Sequence, residues 1–351
     1  MKVLKKVLNY LLDEFKDAYK GNYKFIIFLL VFVLVLTFPL PYYVLISGGI
    51  TDLSDRFIIE NGYSQKGSYN LSYVNRAEGN VLTYIISHIM SDWQLESVSD
   101  YQYSNESFEE LEIRDSLSLQ RANQIATIIA YTKAKEINKD IKIETNGVSI
   151  YVYLVNDTIS MTNKIKVGDK LLKIDGVEIT NTDQVIAGFK DKVKGDEITL
   201  ELQNDDDIYE STIKYLEDDE VPMSFIPIYD LEVSPKIKFT FKSTESGPSA
   251  GFMTTLAIYD ALIEEDLTNG YKIAGTGTIS GNGEVGPIGG VEYKISGAEK
   301  DDAKIFFVPK GENYEDALKK KKENNYDIEL VEISTFDEAV EYLEKMKSEK
   351  E

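Results

Sequence analysis

Residues 247–262 read GPSAGFMTTLAIYDAL, and this stretch decides how the C-terminal part of the chain folds. Met253, Leu256, Ala257 and Ile263 recur at helical spacing, which predicts a helix over about 249–264 with Ser249 at its start. Backbone N–H groups at a helix N-terminus have no intrahelical acceptor, so they can stabilise an oxyanion. The candidates here are the backbone groups of Gly247 and Ala250, beside Ser249 as nucleophile. Ser249 fits the role of a helix N-cap equally well. GPSAG also matches the G-x-S-x-G elbow of α/β-hydrolases, but that triad needs a histidine after the serine. The single histidine, His88, comes before it, among apolar neighbours that suit a structural role.

Downstream, residues 270–294 read GYKIAGTGTISGNGEVGPIGGVEYK. GNGEVG (281–286) has the G-x-G-x-x-G spacing of a dinucleotide loop. Pro287 and the pair Gly289-Gly290 follow where that site needs a helix, so a hairpin turn is predicted. The next helix, about 291–301, buries Val291, Ile295 and Ala298, and the Lys294 stem borders that stripe. Apolar surroundings disfavour the ammonium form and lower a lysine pKa. Lowering it from about 10.4 to about 7.5 costs roughly 4 kcal/mol. Taken alone, Lys294 fits equally a lysine whose stem lies along the helix while its head reaches water.

Taken together, the two stretches resemble the Lon proteolytic domain, and most of all its membrane-anchored relatives that carry a PDZ domain and lack an ATPase. The resemblance covers about 225–345. It implies a Ser–Lys dyad of Ser249 (nucleophile) and Lys294 (general base), with the Thr276 hydroxyl helping to orient the lysine. It implies peptide or small protein substrates, no metal or other cofactor, and a homo-oligomer. Ser246 stands where such relatives often have Gly or Asp, which bears on the substrate groove.

Upstream, VGDKLLKIDGVEI followed by a helix-like TDQVIAGF and the strand-like KGDEITLEL resembles a bacterial PDZ domain over 138–216. Such domains bind an extended peptide as an added strand. Turns are predicted at Asn146-Gly147 and Asp175-Gly176. A Gly-rich carboxylate-binding loop is not evident, so recognition of free C-termini does not follow. Residues 217–222 (EDDEVP) make an acidic linker, and a domain of alternating strands and helices fills 223–347. Strands are predicted at 239–241, 272–279 and 304–309, and further helices at 314–324 and 335–347. Residues 47–137 show strand-like runs and two helices, at 78–92 and about 107–137, with no readable role.

Charge and composition set outer limits. The net charge is −22, which argues against nucleic acid, because phosphate affinity comes from Lys and Arg. Without cysteine there is no disulfide, thiolate nucleophile or cysteine metal site, and one histidine excludes an H-E-x-x-H zinc site. No G-x-x-x-x-G-K-[ST] loop occurs.

Residues 25–46 carry no charge and read as a transmembrane signal anchor behind a basic tail at 1–24, whose residues 4–19 fit either an amphipathic helix on the inner leaflet or a disordered tail. The lysine excess before the anchor puts the N-terminus in the cytoplasm and the catalytic domain outside the cell membrane. The expected fold class is therefore α+β: a transmembrane helix, a PDZ-like β-rich domain and a C-terminal Lon-type α/β domain. The expected function is an ATP-independent, membrane-anchored serine endopeptidase acting on extracytoplasmic peptides or small proteins. A catalytically silent PDZ scaffold at the membrane is the alternative.

Overall fold

The computed structural model describes residues 22–90, 93–103, 106–156, 159–215 and 223–348. The chain divides into two units, Ser47–Val74 with Gln102–Glu351 and Met1–Ile46 with Asn75–Tyr101.

In the larger unit, parallel strands form the frame. Ile305–Pro309 lies between Glu329–Ile333 and Lys272–Gly275, and Lys272–Gly275 pairs in turn with Ser68–Leu71. Ile-Phe-Phe-Val-Pro is buried throughout, as expected of a strand covered on both faces. Successive side chains point to opposite faces, so its residues divide between two cores. Phe306 and Val308 pack with Val291, Ile295 and Ala298 of the helix Val291–Lys300 and with Ala317 of Glu312–Asn324. Ile305 and Phe307 pack with Phe252, Met253 and Leu256 of the helix Gly251–Leu262.

Every residue of Gly251–Leu262 is buried, so the helix is covered on all sides rather than along one stripe. Its main neighbour is the long helix Phe108–Ile137, which opens with a capping box between Ser107 and Glu110. Ala122, Ala126, Ala130 and Ala134 recur every four residues on that helix and are all buried, and such small side chains let two helix backbones come close. The region 47–137, illegible as sequence, thus supplies a central strand and the helix against which Gly251–Leu262 packs.

The β-rich part of this unit is a sheet in the order Met223–Ser234, Lys142–Val155, Lys170–Ile174, Glu197–Asn204, Asp207–Tyr215 and Ile159–Met161. Asp175 and Gly176 have φ of 47° and 78° and turn the chain into Val177–Glu178, as the Asp-Gly pair predicts. Thr182–Phe189 is helical, capped by Asn181 and Gln184. Asn146-Gly147 differs from expectation. It lies inside one continuous strand, Lys142–Val155, whose whole length pairs with Met223–Ser234. The register shifts between Asp230 and Leu231, opposite Gly147 and Thr145, so the pair marks a bulge and not a turn. The partner strand that overrides the turn signal comes from residues the sequence groups with the C-terminal domain.

In the smaller unit, Tyr42–Ile46 pairs antiparallel with Trp93–Ser97, and the helix Val81–Ser87 starts at an Asn80 cap. His88 is exposed at the end of that helix, its Nδ1 2.8 Å from the Tyr84 carbonyl. This unit corrects the membrane reading. Residues 22–36 are helical, but the chain leaves the helix at Thr37 and enters the strand Pro39–Asp52. Tyr43, Val44 and Leu45 are at most 3% exposed, buried as strand residues, so the uncharged run 25–46 is divided between two kinds of structure. Among the described residues no helix is long and apolar enough to cross a membrane. The single-pass anchor, and the cytoplasmic and extracytoplasmic placement derived from it, are therefore not supported, and the fold class becomes mixed α/β, with no membrane-crossing helix among the described residues. The basic tail with its 4–19 helix, apart from residues 22–24, and the acidic linker 217–222 lie outside the described residues.

Candidate active site

Ser249 reaches its position through a short 3-10 turn, Pro248–Ala250, that runs into the helix Gly251–Leu262. Gly247 precedes it at φ 85° and ψ 161°, a region essentially restricted to glycine. Ser249 makes no side-chain cap bond to this turn or helix, which removes the N-cap reading. Its carbonyl is clamped instead, accepting from Gly277 N–H at 3.0 Å and from the Thr276 hydroxyl at 3.3 Å. Phe252 N–H returns a bond to the Gly277 carbonyl at 3.1 Å. Thr276 follows the strand Lys272–Gly275 and is tied to the Phe307 carbonyl through its own N–H, so the sheet frame fixes the serine's position.

Lys294 comes from the middle of the helix Val291–Lys300. Its side chain is 3% exposed, and its Nζ lies 2.8 Å from Ser249 Oγ and 2.9 Å from Thr276 Oγ1. Burial pushes its pKa down to about 7. The Ser72 hydroxyl, itself fully buried, donates to the Lys294 carbonyl at 2.7 Å, and the Ser47 hydroxyl donates to the Tyr293 carbonyl at 3.0 Å. Gly297 lets this helix sit directly on the strand, since a Cβ there would fall 3.1 Å from Gly49 Cα.

Ser249, Thr276 and Lys294 are thus brought together from three separate segments. The donor arithmetic orders them. The Thr276 proton is directed at the Ser249 carbonyl, so its oxygen accepts from Lys294. A neutral lysine that gives one N–H to Thr276 keeps its lone pair available for the Ser249 hydroxyl. Thr276→Val, which keeps the shape and removes both bonds, is expected to lower kcat by about tenfold to a hundredfold. Steady-state kinetics at saturating peptide check this, and an unchanged kcat would leave Thr276 without a part in the arrangement.

One expected contact is absent. The Gly247 N–H donates to the Asp115 carbonyl at 2.9 Å, so in this structure it is not available to an oxyanion. Gly247 serves as the bend that brings Ser249 forward. Ala250 remains at the helix start, buried at 3% exposure. The contributions of Ser72, Ser47 and Asp115 were not readable from sequence, because each is a single bond between segments far apart in the chain.

Residues 242–345 match the Lon protease (S16) C-terminal proteolytic domain. They are a Lon-type proteolytic domain. The chain is 36% identical over 104 residues to the Lon protease of Metamycoplasma arthritidis, which covers 30% of this chain and 12% of that protein. It is 38% identical over 95 residues to Lon protease 2 of Bacillus subtilis, covering 27% and 16%. It is 31% identical over 116 residues to the archaeal Lon protease of Archaeoglobus fulgidus, covering 33% and 18%. The chain therefore spans less than a fifth of the length of these relatives. A Lon-type proteolytic domain is that of a serine endopeptidase, and the Ser249–Lys294 contact lies inside the matched residues.

Proposed function

We propose that the chain is an ATP-independent serine endopeptidase working through a Ser249–Lys294 dyad on peptides, flexible segments or small proteins. The observation that carries this is the 2.8 Å contact between Ser249 Oγ and a lysine whose burial lowers its pKa to about 7. Neutral Lys294 takes the proton from Ser249 as Oγ attacks the peptide carbonyl. The lysinium then gives that proton to the leaving amine as the C–N bond breaks. Water, deprotonated by the same lysine, hydrolyses the ester and returns Ser249. The N–H groups of Gly247, Gly251 and Phe252 are engaged by the carbonyls of Asp115, Pro248 and Gly277, which supports Ala250 N–H at the helix start as an oxyanion donor.

The β-rich segment adds a substrate-recruiting surface to this reading. It resembles a PDZ domain, and among the described residues Ile159–Met161 ends its sheet with a strand paired on one side.

The test is to incubate the purified chain with a peptide pool in the absence of nucleotide and identify new termini by mass spectrometry across pH. Cleavage should rise with pH and reach half its maximum near 7, because the rate follows the fraction of Lys294 without its extra proton. A rate that stays level from pH 5 to 9 counts against a lysine base, and an absence of new termini at every pH counts against the protease.

A further inference from the structure

Five consecutive residues, Lys242–Ser246, lead into Gly247 and Ser249, and all but Glu245 are exposed. Glu245 uses both carboxylate oxygens. Its Oε1 accepts from Arg56 Nε at 2.9 Å and lies 2.7 Å from Arg56 Nη2, while its Oε2 accepts from Lys242 N–H at 2.8 Å. The Glu245 N–H donates to the Lys242 carbonyl at 3.0 Å, so the segment closes on itself as a turn. Arg56, 8% exposed, also accepts Thr240 N–H on its carbonyl at 2.8 Å. One guanidinium and its own backbone therefore hold this connection at both ends, with the Gly247–Asp115 bond taking over beyond it.

We propose that Arg56 and Glu245 are positioning residues for Ser249, a tether that fixes the approach to the nucleophile and so sets its distance from Lys294. The proposal rests on the Ser249–Lys294 reading of the site. Neither residue touches the dyad. Their effect passes through the backbone from Glu245 through Gly247 to Ser249. A charge-assisted pair this shielded from water holds its geometry better than an exposed one, and Arg offers the fork that Lys lacks. Downstream of Ser249 the chain has three bonds to Thr276 and Gly277, whereas upstream the Asp115 bond and this tether hold the five residues before Gly247. Losing the tether should let the serine shift while leaving the rest of the site in place.

The experiment compares wild type with Arg56→Ala, Arg56→Lys, Glu245→Ala and the double alanine variant, all as the full chain. Hydrogen exchange of the 242–250 amides is read together with kcat and KM on a peptide the wild type cleaves. Thermal unfolding shows that each variant is folded. Expected are faster exchange confined to 242–250 and a kcat about tenfold to a hundredfold lower at unchanged KM. Arg56→Lys should fall between, and the double variant should be no slower than the slower single one, because both remove one contact.

Unaltered exchange overturns the tether whatever the kinetics. Faster exchange with normal kcat overturns its role in positioning, as does a KM rise with kcat intact, or losses that multiply in the double variant. If an alanine variant fails to fold, Arg56→Lys decides by the same criteria. A wild type that cleaves nothing removes the protease reading, and this one with it.

Discussion

Ser249→Ala is expected to abolish peptide cleavage, lowering kcat by at least about a thousandfold, while the protein stays folded. The side chain lost is one hydroxyl whose hydrogen bond is to Lys294 Nζ, and the carbonyl that anchors the residue to Gly277 and Thr276 is untouched. Lys294 keeps Thr276 as a partner, so no buried amine is left alone. The melting temperature should therefore stay within a few degrees of wild type. Cleavage that survives in this variant, with the same new termini, would show that Ser249 is not the nucleophile.

Lys294→Met should be as inactive as Ser249→Ala, and it should also make the protein more stable below pH 7. The first half follows from losing the base. The second follows from linkage. The folded-state pKa of Lys294 is lowered to about 7, so between there and its unfolded value the unfolded chain binds the extra proton. Wild-type stability from this group therefore rises with pH across that interval, and the full penalty is present below about 7. Met is close in size to the buried lysine and carries no such penalty. The hydroxyls of Ser249 and Thr276 each lose a partner, at about 1 kcal/mol apiece, which against a penalty of about 5 kcal/mol leaves a net gain on the order of 3 kcal/mol at pH 6. Urea unfolding at pH 6 and pH 9.5 measures both ends, and the gain should shrink at the higher pH. A loss of stability at pH 6 would mean that burial does not penalise the charged form of the lysine. Lys294→Arg should be equally inactive, since guanidinium does not deprotonate.

What could be read from the sequence had local causes. Ser249 and Lys294 were picked out by a resemblance carried on two short continuous stretches, 247–262 and 270–294, and Asp175-Gly176 is a turn because its own backbone angles demand it. GNGEVG likewise became a hairpin between Thr278–Ile279 and Val285–Gly286, as the following Pro287 indicates. The failures came where a distant segment decides. Residues 39–46 are apolar because they form a strand with buried positions, and a short apolar run looks the same whether it lies in a membrane or in a sheet. Asn146-Gly147 would be a turn if Met223–Ser234 did not lie along it. The Asp115 carbonyl that takes the Gly247 N–H, and the Arg56 that holds Glu245, have no signature in their own neighbourhoods.

The pairing of Lys272–Gly275 with Ser68–Leu71 also bears on how the protein is made. Asn70 and Ile273, joined by a hydrogen bond, are 203 residues apart in the chain. Contacts of such long range are slow to form, because the intervening loop must close first. On the ribosome the strand from the early part of the chain waits for partners synthesised near the end, and Ser249 emerges before the lysine that would activate it. An unfinished chain would therefore carry the proposed nucleophile without the proposed base. Proteolytic competence would arrive only with closure of the sheet, so the order of synthesis would itself keep the nascent protein from cutting itself or its neighbours.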